Sequence, residues 1–248
     1  MPGRSAHGEL LHVTANTNQS SNWFGYNQGS AEQGGELFSS IAGNWTVPKA
    51  TQHVKGQDEY SSDWIGIGGG CVDASCDLTD STLIQTGTEQ DVSSGGKASY
   101  SAWWEVIPAP SLTITNMTVR PGDRMHASID ETTPVPEVWT ITIDDLTRHE
   151  SYSTTVPYTS SMDTAEWIEE TPLVLGTNAG FAPMPTLTRT PFDLATTNGT
   201  PANLQASEEM DLVDSNNKVI GAPSAPDRDA DGFNACAWAS SCPAPRTS

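Results

Sequence analysis

The sequence predicts an all-β protein, a sandwich or barrel of short antiparallel strands, and three observations carry that prediction. Apolar residues alternate with a period of two over most of the chain. Turn signals recur at hairpin distance. No segment of helical length shows an apolar stripe. In chain order, residues 41–47, 60–67 and 82–87 form the first short runs. From Lys97 to Val106, the residues Ala98, Tyr100, Ala102, Trp104 and Val106 share one face, and Ser99, Ser101, Trp103 and Glu105 the other. A run at 111–119 leads to the turn Pro121-Gly122-Asp123. Met125, Ala127 and Ile129 then alternate with Arg124, His126 and Ser128, and Trp139, Ile141 and Ile143 with Thr140, Thr142 and Asp144. Runs at 150–157 and 164–170 follow, and weaker ones near 203–206, 208–213, 217–221 and 232–238. Ser94-Gly95-Gly96, Asn198-Gly199 and Asn216-Asn217 mark further turns, and residues 176–202, rich in Pro, Thr and Asn, read as a long loop region.

Composition bounds the function. The chain has 248 residues with 31 acidic and 11 basic side chains, a formal net charge of −20. So few bases cannot neutralise a run of phosphates, which excludes sequence-independent nucleic-acid binding. An anionic membrane surface would repel the chain, and no apolar run approaches the roughly 20 residues of a bilayer span. Disorder is countered by 8 Trp, 5 Tyr and 5 Phe on alternating strands. A single domain over residues 21–248, preceded by an N-terminal arm over 1–20, accommodates the length.

The four cysteines fall in two close pairs, Cys71/Cys76 and Cys236/Cys242, with neither a CxxC spacing nor a neighbouring His to complete a zinc site. Two short-loop disulfides are expected, free thiols being the alternative. That favours an oxidising compartment and a secreted protein whose signal and propeptide are not in this chain, over a cytoplasmic one. Asn18, Asn44, Asn116 and Asn198 head sequons, a weak signal.

Common hydrolase signatures are missing: the chain has no Gly-x-Ser-x-Gly elbow, no HExxH and no Asp-Thr-Gly turn. None of His7, His12, His53, His126 and His149 has a triad context, and His126 reads as a solvated residue on the polar face of a strand. Three segments stand out instead. Gln85 follows the apolar Leu83-Ile84, where a buried amide must find partners or serve as a donor to a developing oxyanion. On a strand, Glu166, Ile168 and Glu170 share a face, giving either a carboxylate pair for acid–base work or a solvated acidic strand end. Trp103 shares its face with Glu105, either covering the core edge or lining a cleft.

Together with Ser21-Asn22-Trp23-Phe24-Gly25-Tyr26, Ile41-Ala42-Gly43-Asn44-Trp45-Thr46-Val47-Pro48 and Trp64-Ile65-Gly66-Ile67-Gly68-Gly69, these segments fall in a distinctive order. They continue through Leu83-Ile84-Gln85-Thr86-Gly87, Tyr100-Ser101-Ala102-Trp103-Trp104-Glu105 and Ala165-Glu166-Trp167-Ile168-Glu169-Glu170. In this the chain resembles the glutamic peptidases, the eqolisin family of pepstatin-insensitive acid proteases. The resemblance covers residues 20–175 well and the remainder loosely, through Asp231-Gly232-Phe233.

The resemblance implies a β-sandwich of two antiparallel seven-stranded sheets, similar to the concanavalin A-like lectins and glucanases, and an endopeptidase acting at acid pH. By motif position Gln85 and Glu166 match the catalytic dyad, Trp64, Trp103 and Glu105 the cleft, and Glu170 the motif's second acidic position. Protein or peptide substrates, a monomer and no cofactor or metal are expected. Glu166, with an ordinary pKa of about 4.3, would take a proton from water as it attacks the scissile carbonyl, while Gln85 donates to the oxyanion. The chain departs from the family pattern at Gly68 and Ser101, where acidic residues are common, and Glu89 stands in a third acidic position. Residues 70–81 form a longer loop than the family suggests, a lip over the cleft. Asp227-Arg228-Asp229-Ala230-Asp231-Gly232 matches half of a calcium loop, but Trp238 stands where a bidentate Glu is needed, so a polar turn is the expected structure. The rival readings are a glycoside hydrolase using Glu166 and Glu170, and a carbohydrate-binding domain.

Overall fold

The computed structural model describes residues 5–6, 18–132, 135–174 and 180–246. Most of the expected N-terminal arm, with His7 and His12, and residues 175–179 of the expected loop region lie outside the described residues. Fourteen strands form one hydrogen-bonded path. In chain order they are β1 (Trp23–Gly29), β2 (Ser40–Thr46), β3 (Glu59–Gly68), β4 (Leu83–Val92), β5 (Ala98–Val106), β6 (Leu112–Ile114) and β7 (Arg124–Glu131). They continue as β8 (Val138–Asp145), β9 (Glu150–Pro157), β10 (Thr164–Glu170), β11 (Thr190–Thr197), β12 (Glu209–Val213), β13 (Val219–Pro223) and β14 (Phe233–Ala237).

The spatial order is β9-β8-β7-β2-β11-β14-β13, then β12-β1-β10-β3-β4-β5-β6, and the β12–β13 pairing carries the path from one sheet to the other. This is the expected sandwich of two antiparallel sheets. The short strand Gln19–Ser20 runs parallel to β12. Between the sheets lies the main core. It takes Met125, Ala127, Ile129, Trp139, Ile141 and Ile143 from one, and Tyr26, Ile65, Ile67, Ile84, Ala165 and Trp167 from the other. The faces read from the alternation in β7 and β8 are the buried ones, because a strand with one wet face must alternate.

Three elements differ from expectation. The 203–206 run is not a strand; Ala206–Glu208 is a 3₁₀ turn, closed by the Glu208 carboxylate accepting from the Gln205 N–H at 2.8 Å. The 111–119 run shrinks to Leu112–Ile114. The 176–202 region is no long loop: it contains β11, which pairs with β2 and β14, and shorter strands at Gly180–Phe181, Thr186–Leu187 and Thr200–Pro201. A register shift between Asp193 and Thr196 breaks the alternation of β11 and hides it from a period-two reading.

The second face of the β12-to-β6 sheet is also covered. A smaller apolar cluster there joins Trp23, Trp64, Cys71, Leu83, Trp103, Ile168 and Met210. That cover explains why all seven residues of β1 and of β10 are buried and neither strand alternates. Both expected disulfides are formed, Cys71–Cys76 and Cys236–Cys242.

Candidate active site

The register of four neighbouring strands sets the site. Glu166 on β10 pairs with Gly66 on β3, Gly66 with Gln85 on β4, and Gln85 with Glu105 on β5. On the other side Glu166 pairs with Asn27 of β1. Directly paired residues project to the same face, so Asn27, Glu166, Gly66, Gln85 and Glu105 form one row across the sheet. Glu166 and Gln85 are two strand spacings apart, about 9.5 Å between backbones. Gly66 contributes no side chain between them; a Cβ there would stand 2.8 Å from the Trp64 ring.

The next row contains Ile168, Trp64, Gly87 and Trp103, and the one after it Trp23, Glu170, Ser62, Glu89 and Ser101. All six expected site residues therefore share one face, and all are buried. Trp64 donates its indole N–H to Glu170 Oε2 at 2.8 Å and meets the Trp23 ring edge-on at 4.8 Å. Trp103 donates to Ser62 Oγ at 3.0 Å. The face that reads as polar in the β5 sequence is thus an enclosed one, and Glu170 is no solvated strand end.

Gln85 donates an amide N–H to Glu105 Oε2 at 2.9 Å. This fixes which way the amide points, leaving its Oε1 buried without a partner and its second N–H for another acceptor. Neither carboxylate oxygen of the fully buried Glu166 has a hydrogen-bond partner among the described residues. Burial pushes this carboxyl well above its ordinary value; the Thr164 hydroxyl opposes the shift, and the Asp80 charge adds to it. The ordinary carboxyl value of about 4.3 therefore does not describe Glu166 in this fold: burial removes much of the hydration that stabilises the charged form.

The cover over Glu166 is the loop after β3. Asn27 clamps it twice, accepting from the Cys71 N–H at 2.8 Å and donating to the Cys71 carbonyl at 2.9 Å. The Gly70 N–H reaches Thr164 Oγ1 at 3.2 Å. A Cβ on Gly70 would stand 1.7 Å from Asn27 Oδ1 and 2.6 Å from Glu166 Oε1, so only glycine fits. At its far end Asp80 accepts from the Thr82 and Asp163 N–H groups at 2.8 and 3.2 Å. Asn27, Gly70 and Thr164 escaped sequence reasoning, since no local pattern reveals a cross-strand neighbour. Trp23 and Gly66 lay within quoted motifs without a role.

The two departures from the family pattern are also placed. Gly68 has φ +98°, and a Cβ there would meet the Thr82 carbonyl at 2.1 Å, so the backbone forbids an aspartate. Ser101 donates to Glu89 Oε1 across the β4–β5 pair. Away from this face, residues 227–232 precede β14 as a turn, in which Asp227 Oδ1 accepts from the Asp231 and Gly232 N–H groups at 3.2 and 3.1 Å. Asp193 of β11 joins Asp227 and Asp231, their oxygens within 4.8 Å of one another. Trp238 stacks on His53 at 3.7 Å. His126 is half-buried, its Nδ1 2.6 Å from Asn44 Oδ1, rather than freely solvated.

The protein is thus a two-sheet β-sandwich with a carboxylate, Glu166, and a carboxamide, Gln85, enclosed on one face. The model of the Peptidase A4 family matches residues 21–230, and the chain belongs to that family. Aspergillopepsin-2 of Aspergillus niger is 26% identical over 191 residues, 68% of this chain and 62% of that protein. The chain thus spans less than two thirds of this curated relative. Among solved structures, scytalido-glutamic peptidase with a peptide-based transition state analog superposes with a TM-score of 0.67, at 19% identity over 88% of this chain and 98% of that one. Aspergilloglutamic peptidase from Aspergillus niger gives a TM-score of 0.56 at 22% identity, over 73% of this chain and 99% of the other. These structures share the fold.

Proposed function

We propose that this chain is an endopeptidase that hydrolyses peptide bonds in acid, with Glu166 and Gln85 acting on a water and no covalent intermediate. The observation that carries the reading is the row Glu166–Gly66–Gln85–Glu105. It sets a carboxylate without a donor and an amide with one committed N–H on the same face, across a gap kept open by glycine. Ionised Glu166 takes a proton from the attacking water. The second N–H of Gln85 stabilises the oxyanion, and Glu166 returns the proton to the leaving amine. Trp64, Trp103, Glu105 and Glu170 shape and orient the cleft around this pair, and the Cys71–Cys76 loop is its lip. Substrates are proteins or peptides, and the place of action is outside the cell, which the two disulfides support.

A glycosidase built on Glu166 and Glu170 fits less well. Four residues along one strand separate them by about 13 Å, beyond the roughly 5–9.5 Å that carboxylate pairs of glycosidases span. Trp64 also occupies Glu170. The test is cleavage of a denatured protein from about pH 2 to about pH 7 with pepstatin present. Glu166→Ala and Gln85→Ala should each lose at least about 100-fold in kcat while keeping the wild-type circular dichroism. Full activity in either variant would remove the dyad, and polysaccharide cleavage without proteolysis would favour the glycosidase.

A further inference from the structure

Behind the candidate site, on the core side of the same sheet, lies a second pair of acids with no part in the chemistry above. Asp63 of β3 and Glu169 of β10 are directly paired in register and neither has any exposed surface. One oxygen of each has a donor: Gln90 Nε2 donates to Asp63 Oδ2 at 2.6 Å, and Thr190 Oγ1 to Glu169 Oε2 at 3.0 Å. The remaining oxygens, Asp63 Oδ1 and Glu169 Oε1, are buried without a hydrogen-bond partner among the described residues, and the direct register pairing sets the two carboxyl groups side by side on one face. Two fully buried carboxyl groups held side by side with no cation beside them avoid paired like charges by keeping a proton between them.

The surroundings offer no substitute for that proton. β4 presents Thr88 and Gln90, β1 presents Phe24 opposite Glu169, and β2 presents Trp45, whose indole N–H goes to Thr88. β11 presents Thr190, while Arg189 beside it is exposed. A further charge acting on Glu169 is Glu170, which is also acidic and lies on the opposite face of β10. The ion pairs among the described residues join Arg148 to Asp123 and Asp145, remote from this pair.

We propose that Asp63 and Glu169 form a proton-dependent latch, in which one shared proton holds β3 and β10 against β4 and β11 in acid. Its loss near neutrality places two like charges in the core and dismantles the strands that carry Trp64, Glu166 and Glu170. Burial raises both acids, Asp63 to about 6, so the latch is closed wherever an acid protease works. Because raised carboxyl pKa values favour the folded state below them, stability is lost as pH rises through the folded values. This concerns the fold and stands independently of the peptidase reading.

The experiment compares wild type with Glu169→Gln and Asp63→Asn, in which an amide N–H replaces the shared proton. Tryptophan fluorescence and denaturant unfolding are followed from about pH 4 to about pH 8. Each variant should move the neutral-side unfolding midpoint up by about one pH unit or more and lower the pH slope of stability by about one proton. Activity of either variant at acid pH should stay within about twofold of wild type. Unchanged midpoint and slope in both variants would overturn the latch. Should neither variant fold, Glu208→Gln with Asp211→Asn removes the other raised acids: stability of that protein must still fall between about pH 5 and about pH 7, and a flat or rising profile there overturns the proposal.

Discussion

At the scale of single residues, Glu105 determines how Gln85 is presented. Its Oε2 takes one amide N–H at 2.9 Å and leaves the other to meet the substrate in the proposed mechanism. Glu105→Ala should therefore lower kcat by about 10–100-fold with a smaller change in KM, the cost of losing one charge-assisted hydrogen bond. A steady-state assay that moved only KM would assign Glu105 to substrate binding. Raised Glu166 has a consequence for the pH profile. The base form grows in as pH rises toward the folded value, so the acid limb of kcat/KM should lie above the ordinary carboxylate range near 4.5. A limb at or below that value would show that Glu166 is solvated when it works. Gly68 sharpens what motif reading can and cannot deliver. The sequence shows that an acidic residue common in the family is absent; only the positive φ and the Thr82 carbonyl show why. Gly68→Asp should accordingly destabilise by about 2 kcal/mol or more in a chemical melt rather than restore a carboxylate.

At the scale of elements, strands with one wet face showed in the alternation, and β3, β4 and β10 showed as short runs although both their faces are covered. β7 and β8 alternate because their outer face meets water, while β1 is buried throughout and shows only as a motif. The same enclosure made β10 ambiguous in sequence: its Glu166, Glu169 and Glu170 would read as solvated without the two layers that cover them. The loop over Glu166 was visible as a length difference, but its attachment to Asn27 was not, since that contact joins distant parts of the chain. The two disulfides span similar separations, 5 and 6 residues, so chain entropy assigns each about 2 kcal/mol. Their functional effects should differ. Replacing Cys71 and Cys76 by Ser should raise KM several-fold along with a modest drop in Tm, because that loop covers Glu166. The same change at Cys236 and Cys242 should lower Tm alone. Equal KM values for the two variants would detach the loop from substrate binding.

At the scale of the whole molecule, the formal charge of −20 counts exposed and buried acids alike, and protonation relieves the repulsion among the exposed ones. Added salt should raise Tm by a few degrees at neutral pH and hardly at all near pH 4, measured by calorimetry, because screening acts on exposed carboxylates. Burial also lifts Glu208 to about 7, and Asp211 to about 6 with Glu209 adding to the shift. Both add stability in acid that fades toward neutrality, and salt should leave that part untouched. The interior carboxyls could not be foretold from the sequence, since nothing local distinguishes Asp63 or Glu169 from a surface acid. The strand order has a last consequence, for the birth of the protein. Glu166 sits between Asn27 and Gly66, and Gly66 between Glu166 and Gln85, so the row joins segments made early and late in synthesis. Pairing over such sequence distances is slow, of the order of milliseconds to seconds or longer. No fragment ending before β10 contains the row, so in the proposed function a growing chain would lack the pair until that strand is made.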